Sequence, residues 1–451
     1  MSYDLTIIGS GPGGYVAALC AAKLGAKVAL VEKSEIGGVC LNQGCIPTKA
    51  LAAFAHKLNP HFAEACEHKQ KVVETLRQGI EKLLKGNKIE IIKGEAKFTD
   101  SNQIAVNGKN IDTKKILIAT GSAWWTPPGL TLDHKFVITS DDLLNWKDLP
   151  KSILIVGGGV VGCEFASILN NFGVQVSIVE AMNSLLPMVE GSLTRLLANS
   201  FKQKGINVLT GTTVVSVCHG EGEDVIPAKA GISVLLSNNE EKNVDKVLVC
   251  VGRRPNTTGL DLEKIGIELT EKGAIKVNEK FETNVAGVYA IGDVIGNWML
   301  AHVASAEAIS CVEQIFGKGQ PLKYQAIPSP IFTIPEIGAV GLTSEQLKQQ
   351  GINFKTGRFA YAASGKAWCD NETEGMALVH VDDKGKILGA HILGKDATLL
   401  IAEAALAIEH GLTAHDVGST IHAHPTLSEI FAEACLDAVG EAIHKGGTRS
   451  S

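Results

Sequence analysis

The chain opens on a short apolar run, Leu5, Thr6, Ile7 and Ile8, which gives way to glycines and then to an alanine-rich stretch from Tyr15 to Leu24, closed by Gly25. A four-residue apolar run bounded by turn residues reads as a buried parallel strand, and the longer stretch reads as the helix that covers it. A second apolar run, Val28 to Val31, ends at Glu32. The pattern then recurs: Ile153 to Val156 predict a strand, Val161 to Phe172 a helix closed by Gly173, and Val176 to Val179 a second strand ending at Glu180. Strand, helix and strand in this order form a unit with a parallel sheet. Two copies predict an α/β chain with two Rossmann-like domains.

The glycines between strand and helix give the repeat a chemical reading. Gly9, Gly11 and Gly14 in the first copy, and Gly157, Gly159 and Gly162 in the second, fall in the spacing that lets backbone N–H groups approach a pyrophosphate. The positive end of the following helix favours that anion. Glu32 and Glu180 lie equally far beyond their first glycines, where an acid accepts a hydrogen bond from an adenosine ribose. Two dinucleotides are implied. Glu180 is followed by Ala181, Met182, Asn183 and Ser184, with no arginine to neutralise a 2′-phosphate, so the second site is expected to take NAD and repel NADP.

Composition narrows the class further. A chain of 451 residues exceeds one core and predicts two to four domains. Its net charge of -6 supplies no basic field for nucleic acid. Every apolar stretch is broken before the ~18 residues a membrane span needs, so no membrane insertion is expected. The first strand begins a few residues after Met1, which leaves no room for a targeting peptide and points to the cytoplasm, with a processed organellar form as the alternative.

The 10 cysteines divide into two groups. Cys20, Cys66, Cys163, Cys218, Cys250, Cys311, Cys369 and Cys435 are scattered singly and are expected to be small core residues. No Cys-x-x-Cys occurs, so no metal is expected. Cys40 and Cys45 differ, being flanked by Gly37, Gly38 and Gly44 and followed by Pro47. In a reducing compartment a disulfide at such a place is more often catalytic than structural.

The segment Gly37-Gly38-Val39-Cys40-Leu41-Asn42-Gln43-Gly44-Cys45-Ile46-Pro47-Thr48-Lys49 resembles the redox-active signature of the flavin disulfide reductases, in the branch acting on dihydrolipoamide. Ala119-Thr120-Gly121 and the stretch from Thr283 to Gly292-Asp293 are similar to the family's further flavin motifs. Val251 to Asn256 is similar to the end of its nicotinamide domain, and His422 to Glu429 to its catalytic histidine motif. The resemblance implies an FAD-binding domain with the redox disulfide over residues 1–148 and an NAD-binding domain over 149–270. A central segment over 271–327 then returns to the flavin, and residues 328–451 form a C-terminal α+β interface domain.

Residue roles follow from the resemblance. Cys40 is the thiol attacked by a substrate dithiol, Cys45 faces the flavin, and His424 is the base, oriented by Glu429. Gly9, Gly11, Gly14, Glu32, Thr120, Gly121, Gly292 and Ala301 hold FAD, with Asp293 on its ribityl chain. Lys49 lies beside the flavin's reactive nitrogen, with Glu164 as its ion partner. Gly157, Gly159, Gly162, Glu180 and Gly252 hold NAD. His422 supports its loop. Glu429 has a rival reading, because Thr426-x-x-Glu429 is a capping box. One rotamer is not expected to serve both roles, and orientation of His424 is preferred.

The implied reaction is reoxidation of protein-bound dihydrolipoamide with NAD in a homodimer, the histidine reaching across the subunit interface. The implied partner is a lipoyl domain of a 2-oxo acid dehydrogenase complex or the H protein of the glycine cleavage system. A reductase for glutathione or mercuric ion is opposed by Thr48, by the residues after Glu180, and by a tail from Gly446 to Ser451 with no cysteine pair. An assembly subunit without turnover is opposed by the intact Cys40, Cys45 and His424. Three stretches depart from the family pattern: a short Ala50–Gly79 region, an insertion over Glu221–Gly231, and Lys395–Ile401.

Overall fold

A computed structural model describes residues 2–127, 129–219 and 232–444. The first apolar run becomes the strand Leu5–Ile8, at the centre of a five-stranded sheet. Across that sheet the order is Val288–Ala290, Ile116–Ile118, Leu5–Ile8, Val28–Glu32 and Glu90–Lys93, every pair parallel. A parallel sheet is covered on both faces, which is why all four residues of the central strand are buried and none alternates with solvent. The following helix spans Pro12–Lys23 and so starts before the expected Tyr15. Pro12 stands at the helix start, where its missing N–H has no intrahelical partner to lose and its ring presets φ. Ala17, Ala18 and Ala21 are fully buried, and their size lets the helix Ala301–Ile315 pack closely against this one.

The second unit repeats the plan. Its parallel sheet runs Asn207–Thr210, Gln175–Glu180, Ser152–Val156, Lys246–Val249 and Val137–Ile138, with the helix Val160–Asn171 after the central strand. Because Val288–Ala290 pairs with the first sheet yet follows the second in sequence, the second unit interrupts the first. A third, antiparallel sheet, Ser329–Ile331, Ile337–Gly341, Ile387–Leu393, Met376–Val381 and Lys355–Ala360, is covered by the helices Ala397–Glu409 and Ser428–Ala438. Ile401, Ala404, Phe431 and Ala434 meet Ala377, Val379 and Ile392 in one core there.

Among the described residues no helix is long and apolar enough to cross a membrane. The Ala50–Gly79 stretch falls in two helices, Cys45–Ala55 and Phe62–Gly86, packed on each other. Lys395–Ile401 turns into the Ala397–Glu409 helix through Asp396 at φ 58. The Glu221–Gly231 insertion lies outside the described residues. The expectation that the single cysteines are core residues holds for Cys163, Cys311 and Cys435, which are buried, and fails for Cys218 and Cys369, which are exposed.

The fingerprint glycines have distinct duties. A methyl group on Gly14 would sit 1.8 Å from the Gly9 carbonyl oxygen, and one on Gly162 would sit 2.0 Å from that of Gly157. These glycines let each helix press against its own strand turn. Around Gly11 and Gly159, by contrast, such a methyl meets nothing within 4 Å. Gly14→Ala should therefore destabilise the flavin-free protein by about 1–3 kcal/mol, the usual cost of overpacking. Gly11→Ala, at an ordinary φ of -63, should change its stability by less than about 0.5 kcal/mol. Thermal denaturation of the two variants checks both, and equal losses would refute the division of duties.

Candidate active site

The helix Gly38–Gln43 carries Cys40, and Cys45 is the first residue of the next helix, Cys45–Ala55. The first of these helices is seated on the nucleotide fingerprint. A methyl on Gly38 would lie 2.7 Å from the Gly11 Cα, and the Gly37 N–H donates to the Ser10 carbonyl at 3.2 Å. Gly37 and Gly38 take φ of 98 and 62, which an L side chain rarely adopts. The glycines flanking the cysteines thus bring the thiols against the first dinucleotide turn.

Both cysteines are free thiols in hydrogen-bonding contact. The Cys40 thiol donates to the Cys45 sulfur, and that bond, aided by the Lys49 cation against the cost of burial, lowers Cys45 to about 7. The same bond and burial push the Cys40 thiol up. A position in the first turn of a helix favours an anion at Cys45 as well. Of the reduced pair, Cys45 is the thiolate and Cys40 keeps its proton.

Lys49, one turn on from Cys45, reaches into the second unit. Its Nζ lies 2.8 Å from Glu164 Oε2 and 3.0 Å from Oε1, and 4.7 Å from the centre of the Phe332 ring. Glu164 is 4 % exposed, and its Oε1 also accepts the Phe332 N–H at 2.9 Å. Glu164 belongs to the second fingerprint helix, so this ion pair ties the thiol helix of the first unit to the nucleotide helix of the second. Phe332 was not foreseen; nothing in the sequence distinguishes it from other apolar residues.

The two acids are placed alike. Glu32 Oε2 accepts the Ser10 N–H at 2.8 Å, and Glu180 Oε2 accepts the Gly158 N–H at 2.5 Å. Their other oxygens accept the N–H groups of Ser34 and Met182. A carboxylate has about four acceptor sites, so capacity is left for a ribose hydroxyl. The helices after the two turns begin at Gly11 and Gly159 with no side-chain cap, leaving N–H groups open where the glycines leave space. Both turns therefore fit a dinucleotide pyrophosphate.

The remaining flavin-motif residues are joined to the end of the second unit. Thr120 Oγ1 donates to the Asn256 carbonyl at 2.7 Å, and Asn256 returns a bond to the Thr120 carbonyl at 3.1 Å. Ser122 donates to Asp293 and accepts from Arg253 Nε at 2.7 Å. The Gly292 N–H is held at 2.7 Å by Glu307, fully buried and bonded in turn by Tyr324. Gly121 and Gly252, at φ 71 and 130, border open space, and Ala301 starts the helix that packs on the first fingerprint helix. Ser122 and Glu307 went unforeseen, and Arg253 and Asn256 stood in a recognised motif without an assigned role, because these roles arise only when distant segments meet.

His424 lies on the third unit, 78 % exposed along its side chain, with Nδ1 2.9 Å from Glu429 Oε1. The other oxygen, Oε2, accepts the Thr426 N–H at 2.9 Å. One rotamer of Glu429 thus serves both purposes, against expectation, because each needs only one oxygen. The helix starts later than the motif implied, at Ser428, and the Thr426 hydroxyl turns to the Ala423 carbonyl and Ser428. Burial works against the Glu429 charge, but the bonds from Thr426 and His424 hold its carboxyl below the usual range. His422 bonds the Thr420 carbonyl and Glu403. The charges acting on the thiols come from Lys49 and Glu164, and those acting on Glu429 from His424 and His422.

Comparison with known proteins gives two family matches: pyridine nucleotide-disulphide oxidoreductase over residues 3–308, and the dimerisation domain of the same family over residues 327–435. The chain is 42% identical to a dihydrolipoyl dehydrogenase of Geobacillus stearothermophilus, over 98% of this chain and 97% of that one. It is 39% identical to the mitochondrial dihydrolipoyl dehydrogenase 2 of Arabidopsis thaliana, over 98% and 91%. Among solved structures it is similar to the HOCl-induced flavoprotein disulfide reductase RclA from Escherichia coli, with a TM-score of 0.89 and 31% identity over 96% of this chain and 99% of that one.

The thiol assignment has a direct readout. In reduced, flavin-free protein the ultraviolet absorbance of thiolate should rise with a midpoint at about pH 7, measured as the difference from Cys45→Ser. Lys49→Met should move that midpoint up, since a cation favouring the thiolate is gone. A wild-type midpoint at the ordinary thiol value of about 8.5 would rule the assignment out.

Proposed function

The chain belongs to the pyridine nucleotide-disulphide oxidoreductase family, and from that premise we propose that it oxidises protein-bound dihydrolipoamide with NAD, the activity of a dihydrolipoyl dehydrogenase. One observation carries the reading: a thiol pair seated on one dinucleotide turn is tied by Lys49 and Glu164 to the helix of a second such turn. The cofactors are FAD at the first turn and NAD at the second. Gly9, Gly11, Gly14, Glu32, Thr120, Gly121, Gly292, Asp293 and Ala301 are proposed to hold FAD, with Lys49 beside its ring. Gly157, Gly159, Gly162, Glu180 and Gly252 are proposed to hold NAD, with Glu164 between the two. The proposed divisions of the chain are 1–148, 149–270, 271–327 and 328–451.

The chemistry of the chain's own residues is thiol–disulfide exchange. His424 takes the proton of one substrate thiol, and the thiolate attacks Cys40 Sγ in the Cys40–Cys45 disulfide. The S–S bond breaks and Cys45 leaves as the thiolate that its surroundings already favour. The second substrate thiol then displaces Cys40 from the mixed disulfide, which closes the lipoamide ring and leaves the proton on Cys40. When bound, FAD accepts the two electrons of the dithiol and passes them to NAD. Glu429 holds the His424 ring so that its outer nitrogen faces outward to substrate.

The catalytic unit is taken to be a homodimer in which each histidine serves its partner's thiols, as the family resemblance implies. Exposed Leu399, Leu406 and Ile421 on the third unit support that assembly, as does the dimerisation-domain match. The partner is a lipoyl domain of a 2-oxo acid dehydrogenase complex or the glycine cleavage H protein. The location is the cytoplasm, whose reducing poise suits a thiol pair of this kind.

Turnover with dihydrolipoamide and NAD, set against oxidised glutathione and NADPH, tests the function; a preference for the second pair would overturn it. His424→Gln should slow dihydrolipoamide oxidation about 10²–10⁴-fold, the range of a positioned base. NADH oxidation by an artificial acceptor, which needs no dithiol deprotonation, should survive. A heterodimer of Cys40→Ser and His424→Gln subunits should keep about half the activity, because one composite site stays whole. No activity in a verified heterodimer would place both residues in one chain.

A further inference from the structure

A second cluster of chemistry-bearing side chains lies away from the thiols, where the second unit meets the C-terminal sheet. Glu190 immediately precedes the helix Gly191–Gln203 of the second unit, while His380 and His391 sit on adjacent strands of that sheet. His380 is paired with Gly389, so His391, two residues on, falls on the same face along the diagonal. All three side chains are buried, at 6 % exposure for Glu190 and 1 % for each histidine. One ligand atom from each lies within 4.8 Å of the others.

Hydrogen bonds around the cluster decide what each residue turns inward. His391 Nε2 lies 3.1 Å from the Leu342 carbonyl, which can only accept, so Nε2 carries the proton and Nδ1 bears a lone pair. That Nδ1 is buried and has no hydrogen-bond partner among the described residues. His380 Nδ1 lies 2.9 Å from Thr356 Oγ1, which can hold its proton and free Nε2; Nε2 is 3.4 Å from Glu190 Oε2. The Ser344 N–H and hydroxyl fix Glu190 at 2.8 and 2.9 Å. Two imidazole lone pairs and a carboxylate therefore converge in a buried place. A proton on His380 would answer Glu190 and leave His391 Nδ1 unanswered, whereas a cation answers all three.

We propose that Glu190, His380 and His391 form a zinc-type divalent metal site that clamps the second nucleotide unit to the C-terminal sheet. Two imidazoles and one carboxylate suit Zn²⁺ or a similar borderline ion, and not Mg²⁺ or Ca²⁺, which take oxygen ligands. Tetrahedral zinc with bonds of about 2.0–2.1 Å sets its ligand atoms about 3.3 Å apart. The 3.4 Å edge between Glu190 and His380 already matches that spacing. Thr356, Leu342 and Ser344 are the outer partners that orient metal ligands and set their tautomers. The site escaped the sequence because its ligands come from segments far apart in the chain and make no spacing motif.

The test uses the oxidised holoenzyme, so that the Cys40–Cys45 disulfide offers no thiolate to the metal. Protein produced in zinc-supplemented culture and gel-filtered with a weak chelator is assayed for zinc by plasma mass spectrometry. The expected result is about one zinc per chain in the wild type, falling tenfold or more in His391→Phe and Glu190→Gln, since outer partners alone are worth about 10–100-fold. FAD content and dihydrolipoamide turnover of the variants should persist. Wild-type protein without zinc, or an unchanged zinc content in either variant, overturns the proposal. If the variants do not fold, X-ray absorption at zinc in the wild type decides: two imidazole nitrogens support the site, and sulfur ligands refute it.

Discussion

Glu164 is a carboxylate withdrawn from water between two nucleotide folds, and the molecule is arranged so that it keeps its partners. Lys49 reaches it from the thiol helix and the Phe332 N–H from the start of the third unit. Stripping one partner leaves a buried charge unpaired, at a cost below the about 3–5 kcal/mol of a fully buried pair because the Lys49 side chain is 31 % exposed. That contact joins the three units beside a hydrophobic core they share, to which Leu51, Phe165 and Ile331 all contribute. The same lysine also favours the thiolate of Cys45, so the contact that aligns the units sets the chemistry between them.

The thiol pair is asymmetric for local reasons. Both sulfurs come from one short stretch, yet Cys45 stands at a helix start near Lys49 while Cys40 gives it a proton to share. The thiol of lower pKa is the better leaving group, which favours release of Cys45, while Cys40 is held as the protonated thiol. The fold supplies the two sulfurs with those opposite tendencies. The histidine is held by a carboxylate that also fastens its own loop.

The doubled plan shows how far local pattern reaches. Gly14 and Gly162 carry the closest approaches, and Glu32 and Glu180 close the same loop over the residue after the first glycine. Strands, turns and acids of this kind obey spacing within about two dozen residues, so they were legible in the chain. Helix starts were less so: Pro12 moved one forward, and Ser428 displaced another from Thr426. Cys218 and Cys369 were read as core from their apolar neighbours and proved exposed, because residue type does not tell which face of an element meets solvent.

From its residues alone, then, the chain determines two nucleotide turns, while the family resemblance marks a cysteine pair and a histidine with an acid five residues on. Each is a local arrangement, written in residues that touch because they are near in sequence. The tertiary structure alone decides that Lys49 meets Glu164, that Ser122 joins Asp293 to Arg253, that Glu429 divides its two oxygens, and that Glu190 faces two histidines of another sheet. Those contacts depend on how the units pack on one another. Docking is set by burial and shape summed over many residues, and no short spacing in the sequence records it.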